Sequence, residues 1–198
     1  MKKNIFLSSL ISLGAFLLLS PILIKLVNYL HPIVLIVVLF CIFICVLFIL
    51  LFIKKKSIHL SYSLLVKLLS VYSIALMILL FFRPNGSNYH SVNLIPFSTI
   101  ELFLFGEINW LVSFYNLAAN IGLFIPYGTF LMIRQRQFGA SPFEIIFLPL
   151  ISITMIELMQ FTTHRGSLDV DDLILNMLGI YIGNLIYPVF KRFVYIKI

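Results

Sequence analysis

Charged residues are scarce in this 198-residue chain, which has only 14 Lys and Arg and 7 Asp and Glu. Hydrophobic side chains make up 62% of the sequence, against roughly 45–50% in an ordinary soluble domain. With a mean hydropathy of +1.12, the composition leaves no room for a soluble catalytic domain. Apolar runs of about 20 residues recur, each long enough to cross a hydrocarbon core of about 30 Å as a helix. The sequence therefore predicts an all-α, polytopic membrane protein.

Cysteine is also scarce, since the chain has only Cys41 and Cys45, four positions apart in an apolar run. No other thiol, His or carboxylate stands near them at the spacing of a metal site. We interpret both as small apolar side chains. The sequence contains no internal repeat, linker or low-complexity tract, which predicts one compact membrane domain.

Six apolar segments are predicted to be transmembrane helices. Their approximate ranges are 5–24, 33–53, 60–82, 110–133, 142–161 and 173–188. The first segment follows two lysines, as in a signal peptide. However, its apolar run is long and no A-x-A-like cleavage site follows, so we read it as a retained span.

The positive net charge of +7 reflects the segments between the predicted spans. With a cytoplasmic amino terminus, ten basic residues fall on the inner side. They are Lys2, Lys3, Lys54, Lys55, Lys56, Arg134, Arg136, Lys191, Arg192 and Lys197. The outer side receives only Lys25, Arg83 and Arg165. This asymmetry predicts that both termini are cytoplasmic, and it explains the basic charge without a nucleic-acid partner.

Two helix-start motifs supplement the hydrophobic pattern. In "SPFE", Ser141 is predicted to cap the fifth span, with Glu144 closing a capping box. In "STIE", Ser98 and Glu101 predict a second capping box. The segment that this second box opens ends near Gly106 and is too short to cross the bilayer. We therefore expect a short interfacial or re-entrant helix on the outer side.

Polar side chains are expensive in hydrocarbon, so those inside the predicted spans are informative. Asn116 and Asn120 share one face of the fourth span, and Glu157 and Gln160 share one face of the fifth. At 1.5 Å per residue, Glu157 lies roughly 22 Å along its helix, in the outer third of the bilayer.

Ionisable side chains also cluster ahead of the last span, in the stretch "THRGSLDVDDLILNMLG". Arg165, Asp169, Asp171 and Asp172 all precede its apolar run. Two readings of the aspartates are open. Asp169 can cap the helix with Asp172 at its third position, or both can belong to a functional site. Similarly, Arg165 can serve only to neutralise Glu157 or Asp172.

A stripe continues down one face of the last span, because Asp172, Asn176, Gly179 and Gly183 are spaced at i, i+4, i+7 and i+11. Gly179 and Gly183 form a G-x-x-x-G pair, which predicts close packing against another helix.

Polar residues from three segments thus converge at one level of the bilayer. This polar cluster consists of Asn120, Glu157, Gln160, Arg165, Asp169, Asp172 and Asn176. We predict that it lines an outer-facing pocket, with Asn116 as a further candidate. The alternatives are that Asn116 and Asn120 only bond helices together and that His164 is an ordinary exposed loop residue.

Four motifs in the last 110 or so residues resemble the VanZ-like family of bacterial membrane proteins. They are "NLIPF" at 93–97, "NLAANIGLFIPYG" at 116–128, "IELMQ" at 156–160 and "RGSLDVDDLILNMLGIYIG" at 165–183. The first two spans carry no motif, which divides the chain into residues 1–60 and a VanZ-like domain at 61–198. The resemblance adds Asn93 to the candidate ligand-binding residues.

The resemblance implies a role in tolerance to teicoplanin-type lipoglycopeptides, without implying a reaction. One hypothesis is that the protein binds or remodels a lipid-linked envelope component or a lipoglycopeptide and needs no cofactor. In this hypothesis, Arg165 binds a phosphate or carboxylate group of the ligand. The alternative is an enzyme acting on a lipid phosphate, with Asp169 and Asp172 holding Mg²⁺ and Glu157 or His164 as acid or base. A transporter is a third reading, although no related halves appear.

Overall fold

The computed structural model describes residues 2–27, 33–81 and 91–197, and most of them are helical. The seven helices among these residues are α1 (Lys2–Val27), α2 (Ile33–Ile53), α3 (Tyr62–Phe81), α4 (Ser98–Phe105), α5 (Trp110–Phe138), α6 (Pro142–Thr162) and α7 (Val170–Phe193). The four short strands are β1 (Ile58–Ser61), β2 (Val92–Asn93), β3 (Leu168–Asp169) and β4 (Val194–Lys197). The strands form two parallel pairs, β1 with β4 and β2 with β3. The predicted all-α class is confirmed.

Five helices in the described part of the chain are long and apolar enough to cross a membrane. They are Ile5–Ile24, Tyr62–Phe81, Val112–Phe138, Pro142–Thr162 and Val170–Phe193. The helix α2 has 21 residues and follows the predicted range. The chain is therefore a polytopic helical membrane protein, as predicted. Its orientation stays a prediction, and Arg83, assigned above to the outer side, lies outside the described residues.

The two predicted helix starts have different outcomes. Ser141 caps α6, because its hydroxyl accepts a hydrogen bond from the Glu144 N–H at 3.2 Å. The predicted cap at Ser98 is wrong, since Ser98 is already the first residue of α4. Phe97 occupies the cap position with φ 70°, in the left-handed region, and its side chain makes no capping bond. The acceptor for this helix start comes from elsewhere in the chain, as described below.

The described residues divide into two compact units. One contains α1, α2, β1, α3 as far as Ala75, and the chain from Val189 onward. In this unit α1 packs against α2, and β1 pairs with β4 in a register that places Ile58 beside Val194. The Phe48 ring lies 5.8 Å from Phe190, and Leu51 is buried.

The other unit contains Leu76–Phe81 of α3, together with α4, α5, α6 and α7 as far as Pro188. Its apolar core draws side chains from each of the four long helices that contribute to it. The buried members are Leu76, Leu80, Phe124, Leu131, Ile153 and Ile180. All of the candidate site residues belong to this unit.

Candidate functional site

The strand pair β2–β3 brings the loop before α4 to the start of α7. Its parallel register places Asn93 opposite Asp169. The Asn93 amide nitrogen lies 3.2 Å from Asp169 Oδ1, and also within hydrogen-bond distance of the Ser98 and Thr99 hydroxyls. Asn93 therefore ties together the loop before α4, the first turn of α4 and the start of α7.

The start of α4 is capped by Asp171 of α7. Asp171 Oδ1 accepts a hydrogen bond from the Phe97 N–H at 2.6 Å, and Oδ2 accepts from Thr99 and Ile100 at 2.7 and 3.1 Å. The first N–H groups of a helix lack partners within the helix and carry partial positive charge, so a carboxylate satisfies them well. Asp171 is 0% exposed, and both of its carboxylate oxygens accept hydrogen bonds in this contact.

Asp169 caps the start of α7 and also reaches α4. Its Oδ1 accepts a hydrogen bond from the Asp171 N–H at 2.9 Å, and its Oδ2 accepts from the Thr99 hydroxyl at 2.6 Å. Asp169 is buried. The capping interpretation of Asp169 thus describes its geometry, with a second bond across to α4.

Asp172 faces α5 instead, where Asn120 donates to its Oδ1 at 2.6 Å. Asp172 and Asn120 are both half-buried. The neighbouring candidate Asn116 turns to its own helix and donates to the Val112 carbonyl at 2.8 Å. Of the two asparagines on this face, Asn120 is therefore the one that bonds α5 to α7.

Glu157 and Gln160 lie on the buried face of α6, where Glu157 is only 6% exposed. The Gln160 side chain donates to the Leu80 carbonyl of α3 at 3.0 Å. Its backbone carbonyl accepts from the Arg165 and Gly166 N–H groups, which closes the turn after α6. Gln160 thus links two helices and shapes the turn toward the acidic stretch.

The remaining candidates differ in exposure. His164 lies exposed at the end of α6 with φ 56°, the left-handed conformation that ends many helices. Arg165, next to it, is half-buried. Asn176 is buried in α7, and its Oδ1 has no hydrogen-bond partner among the described residues.

Gly179 and Gly183 lie where α7 touches the backbone of α5. A Cβ at Gly179 would collide with the Ile121 carbonyl, and one at Gly183 would collide with the Ile125 carbonyl. Gly128 of α5 is equally close to the Ile180 carbonyl. This close approach holds the helices of Asn120 and Asp172 together.

The two aspartates that the enzyme hypothesis assigns to Mg²⁺ have separate partners. Asp169 binds Thr99 and the Asp171 N–H, whereas Asp172 binds Asn120. No group of three or more His, Cys, Asp or Glu side chains that could hold a metal occurs within the described ranges. Both Asp169 oxygens thus accept hydrogen bonds from groups of the protein itself.

Asp171 and Thr99 are site residues that the sequence interpretation missed. Both meet at the α4 start, although 72 positions separate them in the chain. The signal available was a third carboxylate in "DVDD" together with a short helix start whose cap was assigned to Ser98. The pairing of β2 with β3 brings the two segments side by side.

Comparison with known proteins agrees with the motifs. The family model described as VanZ/LLP1 matches residues 69–191, more than half of the chain. Protein VanZ of Enterococcus faecium is 29% identical over 127 residues, covering 61% of this chain and 71% of that protein. No solved structure matches the chain significantly.

Proposed function

The chain belongs to the VanZ/LLP1 family, and from this premise we propose that it lowers susceptibility to teicoplanin-type antibiotics. It does so by binding or remodelling a lipid-linked envelope component or a lipoglycopeptide at the polar cluster. In the predicted orientation, this cluster faces the outer leaflet. The similarity to Protein VanZ supports the resistance role, and the geometry of the cluster supports the recognition role.

The observation that carries the recognition role is a difference in solvent exposure among the charged residues. Asp169 and Asp171 are buried and committed to helix starts, so their charges are satisfied inside the protein. Arg165 and Asp172 are only half-buried. A guanidinium and a carboxylate that remain partly accessible can form charge-assisted hydrogen bonds with an anionic and a cationic or hydroxyl group of a ligand.

The surroundings suit a ligand with an apolar tail. Leu102 and Phe105 on α4 are both more than half exposed. Because Asp171 and Thr99 fix the start of α4 to α7, these side chains are held near the polar residues of the same unit. A ligand with a charged head and an acyl or prenyl chain matches this combination of surfaces.

The experiment is expression of the wild-type protein in a susceptible Gram-positive host. We expect the inhibitory concentration of teicoplanin to rise more than that of vancomycin, since vancomycin lacks an acyl chain for contact at the membrane. Equal rises for both drugs would contradict recognition of the tail. No rise for teicoplanin would contradict the resistance role.

The enzyme hypothesis makes a separate prediction. If Asp172 served catalysis, the purified protein would convert undecaprenyl phosphates in the presence of Mg²⁺, as followed by mass spectrometry. Turnover that is lost in Asp172→Asn would replace the binding proposal with catalysis. The binding proposal expects the lipid to be retained unchanged.

A further inference from the structure

A groove of about 350 Å³ lies between α4 and the first turns of α5. Phe103 and Leu104 line it from α4, and Trp110, Phe114 and Leu117 line it from α5. All but one of its lining side chains are aliphatic or aromatic. A methylene group is similar in size to a water molecule, whose share of liquid volume is about 30 Å³, so the groove holds about ten methylene groups.

The exception is Ser113, whose side chain is only 4% exposed. Its hydroxyl has no hydrogen-bond partner within the described ranges. Ser9, Ser70 and Ser152 show the usual behaviour of a helical serine, since each donates to the carbonyl four positions earlier. Ser113 departs from this pattern at the wall of the groove. A buried hydroxyl without a partner is costly, so an acceptor atom inside the groove would satisfy it.

The position of the groove along α5 indicates its depth in the bilayer. The helix α5 begins at Trp110, and Ser113 lies in its first turn. Trp110 is 72% exposed just ahead of that point, where aromatic side chains characteristically lie at the membrane interface. The groove therefore opens at the boundary between headgroups and acyl chains, which is where the ester carbonyls of glycerolipids lie.

We propose that this groove binds one acyl chain of a bilayer glycerophospholipid. The acyl chain packs against the apolar walls of the groove, and the ester carbonyl of the lipid accepts a hydrogen bond from the Ser113 hydroxyl. This lipid site is separate from the polar cluster, and it does not depend on the antibiotic phenotype.

The first test maps the lipid directly. The full-length protein is placed in nanodiscs of phosphatidylcholine and phosphatidylglycerol, with a trace of phosphatidylglycerol that carries a photoactivatable diazirine on one acyl chain. After irradiation, peptide mass spectrometry should find labelling concentrated in residues 103–121 relative to the lipid-facing side of α6. Ala118→Phe fills the groove and should lower this labelling several-fold. The matched control Leu178→Phe, at an exposed position of α7, should leave it unchanged.

The second test addresses Ser113 with a conservative variant. The wild type should label more strongly with the ester-linked probe than with an ether-linked analogue, by roughly threefold to tenfold, the net worth of one hydrogen bond. Ser113→Ala should label equally with both probes. Equal labelling by ester and ether probes in the wild type would overturn the proposal.

Three further outcomes would also overturn it. The first is labelling of the groove no stronger than that of α6 in the wild type, and the second is labelling that Ala118→Phe leaves unchanged. The third is an unlabelled groove in a protein that forms a dimer cross-linked through α4 and α5, which would make a second copy of the chain the occupant.

Discussion

Three aspartates within four positions of the chain have three different surroundings. Asp171 is fully buried against the start of α4, and Asp169 is buried at the start of α7. Asp172 is half-buried and bonds to Asn120. Charge alone does not identify a recognition residue in this stretch, because two of the three carboxylates act as helix caps. Burial distinguishes Asp169 and Asp171 from Asp172, which remains partly accessible.

Asp171→Ala should destabilise the protein by roughly 3 kcal/mol, because three backbone N–H groups lose a charged acceptor inside the protein. Asp171→Asn should have a smaller effect, since one acceptor oxygen remains. Thermal unfolding in mild detergent measures both variants. Glu107→Ala, which removes an exposed carboxylate near the end of α4, is the matched control and should leave the melting temperature unchanged. Unfolding of Asp171→Ala at the wild-type temperature would contradict the capping role.

Asp171 was not predicted as a site residue because its partners are remote in sequence. The Phe97 N–H lies 74 positions away. The stripe along the last span identified Asp172, and the spacing of a helix cap identified Asp169, but local spacing cannot reveal which distant helix start needs a carboxylate. Asn93 could be identified only through the resemblance to a family.

At the level of secondary structure, the close contact between α5 and α7 depends on three glycines, because their lack of a side chain lets the two backbones approach each other. Gly179 and Gly183 on α7 and Gly128 on α5 each face a carbonyl of the other helix. The Thr129 hydroxyl adds a hydrogen bond to the Gly183 carbonyl at 3.1 Å. Because Asn120 and Asp172 lie on these two helices, their bond requires this close approach.

Gly183→Ala should destabilise the protein by about 1–3 kcal/mol, because the new methyl group collides with the backbone of α5. Gly122→Ala is the matched control on α5, since a Cβ there meets nothing within 4 Å. It should be neutral or stabilising by up to about 1 kcal/mol through helix propensity. Thermal unfolding compares the two. If Gly183→Ala is tolerated as well as Gly122→Ala, the two helices do not pack through this face.

Helix positions were well predicted where hydrophobicity and local capping agree. The observed α2 follows the predicted range, and Ser141 caps α6 as expected. The start of α4 was assigned to the wrong residue, because "STIE" fits a local capping box while the actual acceptor is Asp171. The short strand pairs were not predicted, since two-residue and four-residue strands carry no periodic signal.

At the scale of the whole molecule, the strand pairs agree with the predicted grouping of loops on the two sides of the membrane, although they would be the same in the inverted orientation. The β2–β3 pair joins two loops that the charge pattern assigns to the outer side. The β1–β4 pair joins the α2–α3 loop to the segment after α7, both assigned to the inner side. Each pair thus connects segments that the prediction places on the same face of the membrane.

Cysteine labelling tests this orientation. In a Cys41→Ala, Cys45→Ala background, Ser167→Cys should react with an impermeant thiol reagent in intact cells, because it lies in the predicted outer loop. Gln135→Cys, near the inner end of α5, should react only after the membrane is opened. The reverse pattern would invert the orientation and place the polar cluster on the cytoplasmic side.

The measurement that tests the central claim most directly is teicoplanin protection by charge-removing variants at equal protein level. Asp172→Asn preserves side-chain volume and an acceptor for Asn120, so it should fold normally while losing the charge that a ligand senses. We expect Asp172→Asn, Arg165→Ala and Glu157→Gln each to abolish the rise in inhibitory concentration. The control Glu107→Gln, an exposed carboxylate outside the polar cluster, should retain it. If all three cluster variants protect as well as the wild type, the polar cluster is structural and does not recognise the ligand.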